Sequence, residues 1–279
     1  MIPSHRVIWS DNGTLKDLTP NLMNYISGTE VIDFNASQDA LYLGSELPFN
    51  HRWFELSVAS DTASTVSAKV WGGNTWNAVA ETIDLTKVAG VSLAQSGIIY
   101  FSRDRLKVWD YAQTTEDIPA LSSLKIYNLF WLELKWSANW KTTTALKYIG
   151  HKFSSDEDLE SEYPTLGLSS RKTAFKSGKT DWNEQHFAAA EYVIQDLIKR
   201  NAAQSRSQIM DWRAPRFAAL HKTAQIIFNA FGEDYKDDAL RASIAYQGAM
   251  KMGRFDIDQN ADGRLDGPER ETMTRFLTR

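Results

Sequence analysis

The chain has 279 residues, 43% of them hydrophobic and 12% aromatic with ten Trp, and a formal net charge of −4. That composition excludes the aromatic-poor, highly charged profile of a disordered chain, and the length predicts two domains, each with its own core. The acidic balance offers no Lys/Arg footprint for sequence-specific nucleic-acid binding, and the lack of Cys excludes disulfides, thiol catalysis and Cys-ligated zinc.

The first residues, Met1-Ile2-Pro3-Ser4-His5-Arg6, lack the basic start and apolar run of a signal peptide, and no stretch reaches the ~18 apolar residues of a membrane span. A cytoplasmic product when made, with no membrane partner, is the expectation. From about residue 5 to residue 150 the apolar pattern has period two and is interrupted every ~8–12 residues by Gly, Asn, Asp or Ser. Phe54, Leu56 and Val58 alternate with Glu55 and Ser57; Val66, Ala68 and Val70 with Ser67 and Lys69; Phe130, Leu132, Leu134 and Trp136 with Glu133 and Lys135. Strands with one buried face follow. Gly72-Gly73-Asn74, between Val70-Trp71 and Thr75-Trp76, predicts a hairpin with the Trp residues stacked across it. The expected fold is α+β in two domains: an antiparallel β-sandwich of jelly-roll-like kind over residues 1–155, then a helical bundle.

Residues 156–180 are expected to be a linker, because periodicity fades from His151 and Ser, Lys, Asp, Glu and Gly accumulate. Residues 181–279 then read as a small helical bundle. Asp181 with Glu184 resembles a capping box, and Phe187, Ala190, Ile194 and Leu197 hold one helix face to about Asn201. A second helix is predicted from about Pro215, with Phe217, Leu220, Ala224, Ile227 and Phe231 in step and Gly232 as its stop. A third is predicted over 237–255, burying Ala242, Ala245, Tyr246 and Ala249, and a short fourth holds Met273, Phe276 and Leu277.

One segment carries chemistry. Asp258-x-Asn260-x-Asp262-Gly263-Arg264-Leu265-Asp266-x-x-Glu269 matches the EF-hand loop at every ligand position. Calcium needs six to eight oxygens. Asp258, Asn260 and Asp262 would give side-chain oxygens, Arg264 its carbonyl, Asp266 an oxygen directly or through water, and Glu269 both carboxylate oxygens. Gly263 stands where the loop turns too sharply for a Cβ. One structural Ca2+ per chain is expected at a single EF-hand-like loop, the plain alternative being an acidic turn that binds nothing. A lone loop fits a clip better than a sensor, because it has no partner hand to transmit opening.

Elsewhere the sequence gives little for chemistry. His5, His51, His151, His186 and His221 are scattered, no phosphate loop, nucleophile elbow or dinucleotide fingerprint occurs, and Glu160 with Glu162 read as a solvated face. A protein that is not an enzyme is expected. Trp53, Trp71, Trp76 and Trp131 form the candidate glycan platform of an alternative reading, a carbohydrate-binding module with a dockerin-like calcium-dependent attachment segment.

Several segments resemble a family of tailed-bacteriophage virion proteins of the head-tail connector or neck type. They are Tyr42-Leu43-Gly44 with Pro48-Phe49-Asn50-His51-Arg52-Trp53-Phe54, then Val70 to Trp76, Ser96-Gly97-Ile98-Ile99, and Tyr148-Ile149-Gly150-His151-Lys152-Phe153. The helical stretch from Ala239 into the D-x-N-x-D-G loop ending at Glu269 is similar to tails in phage structural proteins. The resemblance implies a neck adaptor, a cyclic homo-oligomer and by the portal's symmetry a dodecamer. It further implies contacts with the portal and other neck or tail proteins, DNA passing through the ring, and residence in the host cytoplasm and then the virion.

Overall fold

A computed structural model describes residues 5–26, 28–102, 107–265 and, for the backbone alone, 272–273. The chain divides into two units, residues 1–150 with 261–264 and residues 151–260 with 265–279.

The first unit holds two antiparallel sheets. The larger runs β2 (Thr14–Asp17), β1 (His5–Asp11), β4 (Ala40–Ser45), β11 (Tyr127–Trp136), β6 (Val66–Trp71), β7 (Trp76–Ala78), with β10 (Tyr111–Thr114) pairing the start of β11. The smaller runs β3 (Glu30–Val31), β12 (Ala145–Gly150), β5 (His51–Val58), β9 (Gly97–Ser102), β8 (Glu81–Asp84). A single apolar cluster draws Leu41, Leu132 and Leu134 from the larger sheet and Phe54, Ile99 and Ile149 from the smaller. The first helix, α1 (Thr19–Leu22), adds Leu22 to it.

The larger sheet departs from the expected single buried face. Its opposite face carries Ile8, Tyr42, Trp71 and Trp131, which pack with Ile118 and Leu121 from two 3-10 turns at Thr115–Asp117 and Pro119–Leu121. Trp131 is therefore fully buried although it alternates with the inward Leu132. Glu133 on that same face is also buried; its carboxylate accepts from Tyr42 Oη at 3.3 Å and lies 3.5 Å from Lys69 Nζ. A carboxylate removed from water needs such partners. In β5 the alternation also fails at one end, with Glu55 buried and receiving Trp53 Nε1 at 2.8 Å while Val58 is exposed.

The hairpin between β6 and β7 forms, with Trp71 opposite Trp76, Gly73 at φ 87° and Gly72 N–H donating to Thr75 O at 2.9 Å. The two indoles meet edge to face, with centroids 5.4 Å apart, and do not stack.

The second unit begins earlier than expected. The predicted linker contains α2 (Asp156–Glu162), α3 (Pro164–Gly167) and α4 (Ser169–Phe175). Each is too short for a periodic stripe to be read; α2 and α3 hold on by one buried Leu apiece, Leu159 and Leu166, and Ser155 with Asp158 forms a capping box. The longer helices are α5 (Asn183–Lys199), α6 (Arg216–Phe231) and α7 (Lys236–Met252). Phe187, Ala190, Ile194 and Leu197 are buried as the pattern requires, and Gly232 ends α6 at φ 87°. Glu184 does not complete a capping box with Asp181; it lies 3.6 Å from Lys179 Nζ, while Asp181 Oδ1 accepts from Asn183 N–H. Phe217, placed by the sequence on the buried face of α6, is 68% exposed.

The third helix stops short of the predicted Phe255. Gly253 takes ψ 139° after Met252, and Arg254–Phe255 becomes β13, paired with β14 (Thr272–Met273). Met273 thus lies in a strand and not in a fourth helix, whereas Phe276 and Leu277 lie outside the described residues. No helix among the described residues is long and apolar enough to cross a membrane.

Because Trp131 is fully buried in the second apolar cluster, Trp131→Ala should destabilise the first unit by about 3–5 kcal/mol and Trp131→Phe by clearly less. Urea titration with far-ultraviolet dichroism measures both.

Candidate metal site

The segment preceding the D-x-N-x-D-G loop is extended, and a second chain segment holds it. Ile257 forms an antiparallel bridge with Ile209, and Met210 N–H donates to Asp256 O at 3.0 Å. Asp258 N–H donates to Gln208 O at 2.9 Å, and Gln208 Nε2 returns a bond of 2.7 Å to Asp258 O. The other end of the same amide, Gln208 Oε1, accepts from the backbone N–H of Gln204 and Ser205 at 2.6 and 3.0 Å. Sequence reading missed Gln208, yet Ser205-x-x-Gln208 matches a capping-box pattern that could have flagged it.

Four of the six expected ligands lie in the described residues. Asp258 is fully buried, Asn260 is exposed, and Asp262 and Arg264 are half-buried. Ala261 and Gly263 both turn left-handed, at φ 59° and 80°. Gly263 takes this conformation freely, while Ala261 bears a cost of about 1–2 kcal/mol that its surroundings must offset. Asp262 Oδ1 accepts from Arg264 N–H at 2.9 Å, closing an Asx turn over Gly263. Asp266 and Glu269 lie outside the described residues. Among the described residues no three His, Cys, Asp or Glu side chains gather closely enough to hold a metal. The donors that are described are all oxygen, which fits a hard cation such as calcium. An EF-hand's entering helix is not part of this arrangement, since α7 ends at Met252.

A second polar constellation sits in the helical unit. Ser154 Oγ lies 2.8 Å from His186 Nδ1, and His186 Nε2 lies 3.2 Å from Asp156 Oδ1. The contacts run in the order of a Ser-His-Asp triad, but His186 is fully buried and Ser154 5% exposed, so no substrate carbonyl reaches the hydroxyl. The neighbours explain the arrangement as packing: Lys172 Nζ at 2.7 Å and Trp182 N–H at 3.1 Å also bind Asp156, and Thr223 Oγ1 stands 3.2 Å from His186 Nδ1. Burial works to raise the Asp156 pKa, but the hydrogen bonds from His186, Lys172 and Trp182 together hold it well below the usual carboxylate range. Burial outweighs Asp156 at His186 and lowers the imidazole's pKa.

The glycan platform does not assemble from its four candidates. Trp131 and Trp71 are buried, and the two half-buried indoles, Trp53 and Trp76, stand on different sheets. No protein-family model matches the chain, and neither does any curated protein.

Two of the buried histidines, His51 and His186, predict acid lability. His51 is lowered by burial and then by Arg52, to about 3, and His186 is lowered by burial. Both are neutral when folded and take a proton near pH 6.5 when unfolded, so their contribution is whole above that pH. It is lost as pH falls, by about 1.4 kcal/mol per pH unit for each histidine, down to its folded pKa. Urea midpoints between pH 7.5 and 4.5 should decline accordingly, and His186→Gln should make that decline shallower whatever it does to the midpoint itself.

Proposed function

We propose that this is a non-enzymatic structural protein of a tailed-phage virion, of the head-tail connector or neck type, whose D-x-N-x-D-G loop holds one structural calcium ion. The observation that carries the calcium half is the described arm of the loop: a buried Asp258, and left-handed residues at the fourth and sixth loop positions. The pairing of β13 with β14 brings together the two ends of the 256–271 segment, so a cation held by Asp258, Asn260, Asp262, the Arg264 carbonyl, Asp266 and Glu269 would act across an already closed base. Without the cation, four carboxylates repel one another. Because the full ligand set exists only when the loop is folded, calcium at one hundred times its Kd should add about 2.7 kcal/mol.

The virion half rests on where the segments that resemble neck proteins fall. Val70 to Trp76 forms the β6–β7 hairpin, Tyr42-Leu43-Gly44 a buried strand, and Tyr148 to Phe153 the end of β12 and the buried residues after it. These are packing roles, as a structural protein would use them. The shared cluster of the two sheets supports a sandwich of jelly-roll kind. The exposed Phe217, Leu240, Ile244 and Met252 give the helical unit apolar surface that assembly would cover. On this reading the protein joins the portal and its neighbouring neck or tail proteins as a closed ring.

Thermal melting with calcium, with magnesium and with chelator tests the ion. Calcium should raise the native Tm, magnesium much less, and Glu269→Gln should abolish the response; an equal rise in Glu269→Gln would leave the loop an acidic turn. Negative-stain imaging tests the assembly. Closed rings, alone or on added portal, are expected, and a monomer within intact particles would overturn the connector reading.

A further inference from the structure

Helix α7 turns exposed apolar side chains to solvent. Leu240 is 58% exposed, Ile244 64% and Met252 74%, while Phe217 of α6 is 68% exposed. Isolated exposed apolar residues are ordinary, but these border one groove between α6 and α7 or continue its line. The groove measures about 420 Å³; Ala245, Gly248 and Ala249 line it, together with Phe217 and Met252. A Cβ added at Gly248 would meet nothing within 4 Å, so the helix surface is open there. At about 100° per residue, Asp237, Leu240, Ile244, Gly248 and Lys251 fall on one stripe roughly 100° wide, the width of a packing face.

The charges along that stripe choose the occupant. The first turn of α7 carries Asp237 on that stripe and Asp238 off it, and the last turn carries Lys251. A second α7 laid parallel would place like ends together, whereas an antiparallel one opposes acid to base and also opposes the helix dipoles.

We propose that a second copy of this chain covers this face, its α7 antiparallel across a two-fold axis at Ile244. In this register Ile244 meets the partner's Ile244, and Leu240 enters the open space at the partner's Gly248. Asp237 faces the partner's Lys251, and Arg241 faces the partner's Gln247. No like charges oppose each other on the stripe, and the exposed Leu240 meets its smallest residue. Phe217 forms the far wall of the groove that receives the partner's Leu240. Such a contact is isologous, so it closes at two copies. It does not depend on the connector reading.

Sedimentation equilibrium from low micromolar to the highest soluble concentration tests the pairing. The native chain should dimerise reversibly, and Ile244→Glu and Gly248→Phe should each weaken dimerisation at least tenfold while their melting stays close to native. A charge exchange gives an independent arm. The double variant Asp237→Lys, Asp238→Lys and the single variant Lys251→Glu should each pair poorly alone and pair better when mixed, because mixing restores opposite charges at both ends of the helix pair. A native chain that stays monomeric throughout, an Ile244→Glu variant that dimerises like native, or charge variants no better mixed than separate would each overturn the proposal. Rings that still assemble in Ile244→Glu while the free dimer is lost would support the pairing and leave the connector reading standing.

Discussion

Asp156, in the first turn of α2, accepts from Lys172 Nζ of α4, from Trp182 N–H just before α5 and from His186 Nε2 within α5. Through the other imidazole nitrogen the same set reaches Ser154 and Thr223 of α6. Four helices are thereby referred to one carboxylate. Apolar contacts between short helices tolerate sliding, because dispersion and burial have little direction. A half-buried anion with three directed donors does not. Residues 156–175, which have too few apolar side chains for a core of their own, hold a defined place because polar groups fix them and Leu159 and Leu166 then fill what is left.

This also explains which parts of the fold were legible in sequence. Period-two runs located the strands, and Phe187, Ala190, Ile194 and Leu197 located α5, because long elements repeat their burial. The second core escaped notice because Trp131 and Glu133 share a face, so the polar Glu read as solvent-facing while Tyr42 and Lys69 satisfied it out of water. The helices from Asp156 to Phe175 were hidden by length, and the end of α7 by Gly253, whose extended ψ was not marked by any proline or turn cluster. In the loop, Gly263 was readable as the left-handed residue, but the left-handed Ala261 was not, since alanine carries no such signal.

Gln208 illustrates a kind of residue that motif reading does not reach. It supplies no candidate ligand oxygen, yet both ends of its side-chain amide are occupied, one by the 204–205 backbone and one by the carbonyl of Asp258. The backbone at Asp258, the proposed first ligand, is thus held by a turn fifty residues earlier. In an EF-hand the entering helix would do that positioning; here α7 has ended, and a bridge at Ile209 and Ile257 does it. The D-x-N-x-D-G segment here stands on an extended support, and the pairing of 208–210 with 256–258 fixes the direction in which Asp258 enters.

The outermost strands of the two sheets are short: β2 and β8 have four residues each, β7 three and β3 two. Three of them carry acidic or basic side chains, Lys16 and Asp17 on β2, Glu30 on β3, Glu81 and Asp84 on β8. A ladder of two to four residues gives an incoming strand few hydrogen bonds to gain, and the charges make it solvate badly when covered. Among the described residues, edge-to-edge fibre growth therefore finds little backbone from which to start.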